Sequence, residues 1–77
     1  MLKQIIMDSL KNLSGKSSIR DDDLLCYDLG LQEELILDLT MKLELKFGLS
    51  QIYFTPGSLT LCTVKNFCQI IEGAENG

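Results

Sequence analysis

The stretch DLGLQEELILDLTMKLELKFG, residues 28 to 48, constrains this chain more than any other. Leu35, Leu37, Leu39, Met41, Leu43, Leu45 and Phe47 alternate with mostly polar residues, which is the period of a half-buried strand. Leu35, Leu39, Leu43 and Phe47 are also spaced by four, which is one face of a helix. A strand over 35 to 47 would far exceed the usual length of about 5–6 residues. The chain offers no second strand of similar length to pair with it, and an unpaired apolar strand invites aggregation. Leu, Met, Glu and Lys favour helix, and β-branched residues are few here. Glu33 and Glu34 stand at the front and Lys42 and Lys46 toward the back, as the helix dipole prefers. Gly48 is placed to stop the helix. The balance predicts a helix over 33–47.

As a helix, the segment carries two apolar stripes. Leu35, Leu39, Leu43 and Phe47, with Ile36 beside them, form the stripe expected to face the core. Leu37, Met41 and Leu45 lie two residues further on, about 200° around the axis. So small a domain has little chain left to cover them. An exposed Leu-Met-Leu stripe beside Glu33, Glu34 and Asp38 reads as a partner surface.

The flanking segments predict a small helical bundle. Leu2, Ile5, Ile6, Leu10 and Leu13 recur at three and four, marking a helix over 2–13 that ends before Gly15. Residues 14 to 23, SGKSSIRDDD, read as a loop with Asp21 to Asp23 as a solvated acidic edge. A calcium-binding EF-hand loop counted from Asp21 would need Gly at its sixth position and an acid at its twelfth. Those positions hold Cys26 and Gln32, so that reading fails. Leu24, Leu25 and Tyr27 are expected to tuck the end of the loop onto the core. Thr63 is a competent N-cap for a last helix over 63–72, carrying Val64, Phe67, Cys68 and Ile71 and stopped by Gly73. Between them, Pro56-Gly57 signals a turn, and 49–62 reads as a short irregular or helical piece. The expected core is Leu10, Leu29, Leu39, Leu43, Phe47, Val64, Phe67 and Ile71, with 72–77 as a frayed tail. The fold class is therefore all-α, a three- to four-helix bundle forming one domain over 1–77.

Composition narrows the functions. An apolar fraction of 45% argues for a folded chain, and only 6% aromatic residues makes its core aliphatic. A net charge of −4 disfavours nucleic-acid phosphate and favours a basic surface on another protein. No apolar run is long enough to span a bilayer. The first residues lack an uninterrupted apolar stretch and a small-residue cleavage site, so no signal peptide and a cytoplasmic location are expected. Cys26, Cys62 and Cys68 are odd in number and irregular in spacing, which argues against a disulfide framework. With no His and no paired Cys motif, no metal site is expected, and the three thiols read as small buried apolar groups. No His, no paired catalytic carboxylates and no Gly-rich phosphate loop can be identified, so the chain is read as a non-enzyme.

These residues also resemble the centre of acyl carrier proteins. That family typically reads Asp-Leu-Gly-x-Asp-Ser-Leu, then a helix of aliphatics and acids ending in Phe-Gly. Asp28, Leu29 and Gly30 match its approach to the helix, and Leu39, Leu43, Glu44, Phe47 and Gly48 match the body without a gap. Thr63-Val64 and Ile71 resemble the start and body of its final helix. The resemblance covers nearly the whole chain and implies an acyl-carrier-like bundle that works by docking on biosynthetic enzymes. In the family, the Ser carries phosphopantetheine, whose thiol holds the acyl or aminoacyl cargo. Gln32 and Glu33 occupy the Asp-Ser positions here. A carboxylate cannot form the stable phosphodiester that a hydroxyl forms. Asp8-Ser9-Leu10 repeats the triplet inside the first helix without the Gly-containing approach, and Ser50 and Ser58 follow the second helix, so none of these serines is suitably placed. A change made to block loading usually alters the Ser alone. Here Gln32 also departs, and Leu45 stands where many carriers have an acid, which favours a natural divergent member.

The resemblance implies no cofactor, because the phosphopantetheine Ser is absent. It implies a monomeric module that docks on a basic surface of a biosynthetic enzyme or regulator through Glu33, Glu34, Leu37, Asp38, Met41 and Leu45. A negative charge at Glu33 would stand roughly where the phosphodiester of a loaded carrier sits. The plainer alternative is that Glu33 is simply a good first-turn residue. The competing functional reading is a genuine carrier in fatty-acid, polyketide or peptide biosynthesis, loaded at another residue or with Glu33 replacing a native Ser.

Overall fold

The computed structural model describes residues 2–55 and 57–75. They form three helices and, among the described residues, no strand: α1 (Leu2–Ser14), α2 (Glu33–Phe47) and α3 (Val64–Ala74). The radius of gyration, 11.4 Å, is that of a folded chain of this length.

Each helix follows from local chemistry. In α1, Leu2, Ile6 and Leu10 are buried on one face, while Leu13 at its end lies largely exposed. Gly15 adopts a left-handed φ of 74°, and its N–H donates to Lys11 O at 2.9 Å. In α2, Gly48 is the left-handed C-cap, with its N–H bonded to Glu44 O. In α3, the Thr63 hydroxyl accepts from Asn66 N at 3.1 Å, satisfying one free donor of the first turn. Gly73 does not stop this helix, which runs on to Ala74. A glycine weakens a helix by about 1 kcal/mol but breaks it only where the chain turns left-handed. Residues 72–74 are thus helical rather than frayed. Asn76 and Gly77 lie outside the described residues, as does Pro56 of the expected turn.

The buried side of α2 differs from the expected stripe. It is formed by Ile36, Leu39, Thr40 and Leu43, whereas Leu35 (42%) and Phe47 (37%) are exposed. Four residues advance a helix by about 400°, so a strict spacing of four drifts by about 120° between residues 35 and 47. A straight α2 cannot hold both ends of that stripe against one core. Thr40 replaces an apolar residue without leaving a buried donor idle, because its hydroxyl donates to Ile36 O at 2.8 Å. The other expected core residues, Leu10, Leu29, Leu39, Leu43, Val64, Phe67 and Ile71, are buried as read from the sequence.

The long connection from α1 to α2 is irregular but pinned. Leu24 and Thr63 form an isolated antiparallel bridge: Val64 N donates to Asp23 O at 2.9 Å and Leu25 N to Cys62 O at 3.0 Å. Lys65 N donates to Asp21 O at 2.9 Å. The Asp21–Asp23 segment therefore also braces the first turn of α3, beyond being an acidic edge. A turn over 24–28 points Leu25 and Leu29 inward. The same turn leaves Tyr27 exposed, contrary to expectation. Among the described residues from α2 to α3 the chain forms no helix. Ile52 and Phe54 pack partly against the core, Phe54 stacks on Phe67 with ring centroids 6.3 Å apart, and Leu59 and Cys62 are buried. No helix among the described residues is long and apolar enough to cross a membrane.

Candidate functional site: the outer face of α2

The start of α2 is built by the preceding loop. The Asp28 carboxylate accepts from Leu24 N at 2.7 Å, and Leu31 N donates to Leu25 O at 3.0 Å, closing a ring of chain just before the helix. Leu29 and Leu31 anchor that ring in the core, and Gly30 turns it with a φ of 70°. Asp28, Leu29 and Gly30 are thus structural here. Gln32 then takes the N-cap position with extended backbone, but its side chain makes no cap bond. Its carbonyl instead accepts from both Leu35 N and Ile36 N, at 3.0 and 3.2 Å.

Glu33 and Glu34 fill the first turn and are exposed. Leu37, Asp38, Met41 and Leu45 follow along the outside of the helix, with Leu37 43%, Met41 59% and Leu45 84% exposed. Among the described residues no element lies over Met41 and Leu45. Leu37 is the flank member, on the side where Glu44 reaches the 49–54 segment: Glu44 Oε2 accepts Ile52 N at 2.6 Å. Asp38 also pairs with Lys42 at 3.0 Å across one turn, with both side chains well exposed. The rim of the stripe is therefore acidic at its N-terminal end and mixed at its middle. An exposed pair of this kind contributes little to stability and is easily exchanged for another partner.

Cys26 was read from the sequence only as a buried apolar residue, yet it is partly exposed and sits in the loop that leads into α2. Its Sγ lies 3.5 Å from Leu59 O, and its thiol pKa is raised, first by desolvation and then by the Glu33 carboxylate. Cys62 and Cys68 are buried as expected. Burial raises the Cys62 pKa, with Cys26 adding to it. Burial pushes the Cys68 thiol up to about 11, with Lys3 opposing and Glu72, Asp21 and Cys62 reinforcing. No cluster of His, Cys, Asp or Glu suited to a metal ion occurs among the described residues. The placement of Cys26 has no periodic signal, because it depends on a loop meeting another loop. Comparison with known protein families, curated proteins and solved structures finds no match to this chain.

Proposed function

We propose that this protein is an acyl-carrier-like, non-catalytic docking module that engages a basic surface of a biosynthetic enzyme or regulator through the outer face of α2. The observation that carries the reading is the uncovered Leu37-Met41-Leu45 stripe, headed by the exposed Glu33 and Glu34. Apolar anchors of this kind supply affinity once buried, and a charged rim speeds and orients encounter. The order of helices and the long braced loop before α2 are consistent with the acyl-carrier resemblance. Glu33 stands at the start of α2, where that family has its loaded serine. It offers a fixed carboxylate in place of an attachment hydroxyl, so the module docks without a phosphopantetheine arm.

The test is the intact mass after incubation with coenzyme A and a broad phosphopantetheinyl transferase. The mass is expected to stay unchanged. A phosphopantetheine adduct on the natural sequence, at any residue, rejects the unloaded module in favour of a genuine carrier.

A further inference from the structure

Glu34, Asp38, Lys42 and Lys46 follow one another at every fourth position along α2, and all four are exposed. Four positions advance a helix by one turn and about 40°, so these side chains form one ridge beside the Leu37-Met41-Leu45 stripe. The sign along the ridge changes once, from acid to base, midway between Asp38 and Lys42. Reversing the helix end for end therefore exchanges acid for base. A second copy laid antiparallel, with a two-fold axis at residues 40–41, sets Glu34 opposite Lys46 and Asp38 opposite Lys42 of that copy, each pair occurring twice. The same axis sets Met41 beside its own symmetry mate and Leu37 beside Leu45. A parallel copy would set acid against acid and base against base. Within one helix Asp38 already meets Lys42 at 3.0 Å, and so exposed a pair exchanges for an intermolecular one at little cost. Glu33 and Glu44 lie on the other flank, where Glu44 is held by Ile52 N. On the ridge side, a groove between α1 and α2 lined by Leu13, Leu35 and Leu39 opens beside Asp38 and Lys42 and widens the apolar contact.

We propose that a second copy of this chain is the resting occupant of the outer face of α2, paired antiparallel about a two-fold axis at residues 40–41. The proposal rests on the reading of that face as a docking surface, and adds that self-pairing holds it closed until a partner displaces the second copy. The Leu37-Met41-Leu45 stripes form the seam, and the charged ridges fix its direction and register. One helix face offers less than the roughly 800 Å² per partner of a standard interface, so the dimer is weak and depends on concentration. The pairing is closed, because each copy uses the same face, and assembly stops at two.

Sedimentation of the reduced protein alone, from about 1 µM to about 1 mM, should show monomer passing into dimer and nothing larger. Leu45→Glu, at a side chain 84% exposed, should keep its helical circular dichroism and weaken the dimer about tenfold or more. Lys42→Glu should weaken it too. Adding Asp38→Lys to Lys42→Glu should restore it, because the ridge again complements its own reverse. Met41→Cys, close to the axis, should link to its mate on mild oxidation, read by peptide mapping. Glu34→Cys, about 18 Å from its mate along the ridge, should not. A monomer throughout, a dimer indifferent to Leu45→Glu, the absence of that charge rescue, or self-linking of Glu34→Cys as ready as that of Met41→Cys overturns the proposal. A monomer does not touch the docking reading, because the mass after transferase treatment tests that reading and does not depend on self-association.

Discussion

Glu44 on α2 holds Ile52 in the next segment: Glu44 Oε2 accepts Ile52 N at 2.6 Å, eight positions along the chain. This contact ties the irregular 49–54 stretch to one flank of α2. It leaves Met41 and Leu45 uncovered on the outside. Glu44→Ala should lower stability by about 1.5–3 kcal/mol, the range for a hydrogen bond to a charged group. Glu44→Gln keeps an acceptor oxygen and should cost less. Urea melts give the energies, and the Ile52 amide should lose hydrogen-exchange protection first.

The two sides of α2 should separate clearly in stability. Leu39→Ala, Leu43→Ala and Ile36→Ala each remove a buried side chain and should cost about 2–5 kcal/mol. Met41→Ala and Leu45→Ala should change stability by less than about 1 kcal/mol, because little apolar area is buried there. If urea melts show Met41→Ala or Leu45→Ala as damaging as Leu39→Ala, the stripe is core and the docking reading loses its support.

The empty cap of α2 offers a gain. Gln32 has the backbone of an N-cap but provides no side-chain acceptor. Gln32→Asp should stabilise the protein by about 0.5–2 kcal/mol. Combined with Glu33→Ser, it restores the Asp-Ser pair, and the double variant should accept phosphopantetheine from a broad transferase where the natural sequence does not. A double variant that is more stable but still unloaded would show that the loop before α2 lacks what the transferase reads.

Cys68 sets an alkaline limit. Its thiol is buried, with a pKa of about 11 in the folded protein against 9.0 for the ordinary thiol. Above pH 9 the unfolded chain has released this proton and the folded one has not, so stability falls as pH rises from 9 to 11. Below pH 9 both states keep the proton and the effect vanishes. The loss should reach about 2–3 kcal/mol by pH 11. Urea midpoints of the parent and Cys68→Ala at pH 8 and pH 10.5 isolate it, and the difference between the two proteins should shrink at the higher pH.

The residues alone determined the three helices. Apolar spacing, Thr63 as a cap and the glycines at 15 and 48 act within a few residues, so they are readable in order along the chain. The same local rule showed that Leu37, Met41 and Leu45 cannot share a face with Leu39 and Leu43. Tertiary structure decided the rest. The exact buried arc of α2, with Thr40 inside and Leu35 and Phe47 outside, depends on where α2 rests on the other elements. Gly73 was read as a stop because glycine often ends helices, yet α3 continues because its backbone stays right-handed there. Asp28 closing onto Leu24, Glu44 holding Ile52 and Cys26 meeting the turn before Cys62 all join irregular segments. Such contacts carry no period in sequence, because side chains and backbone groups far apart along the chain meet only once the core has closed around them.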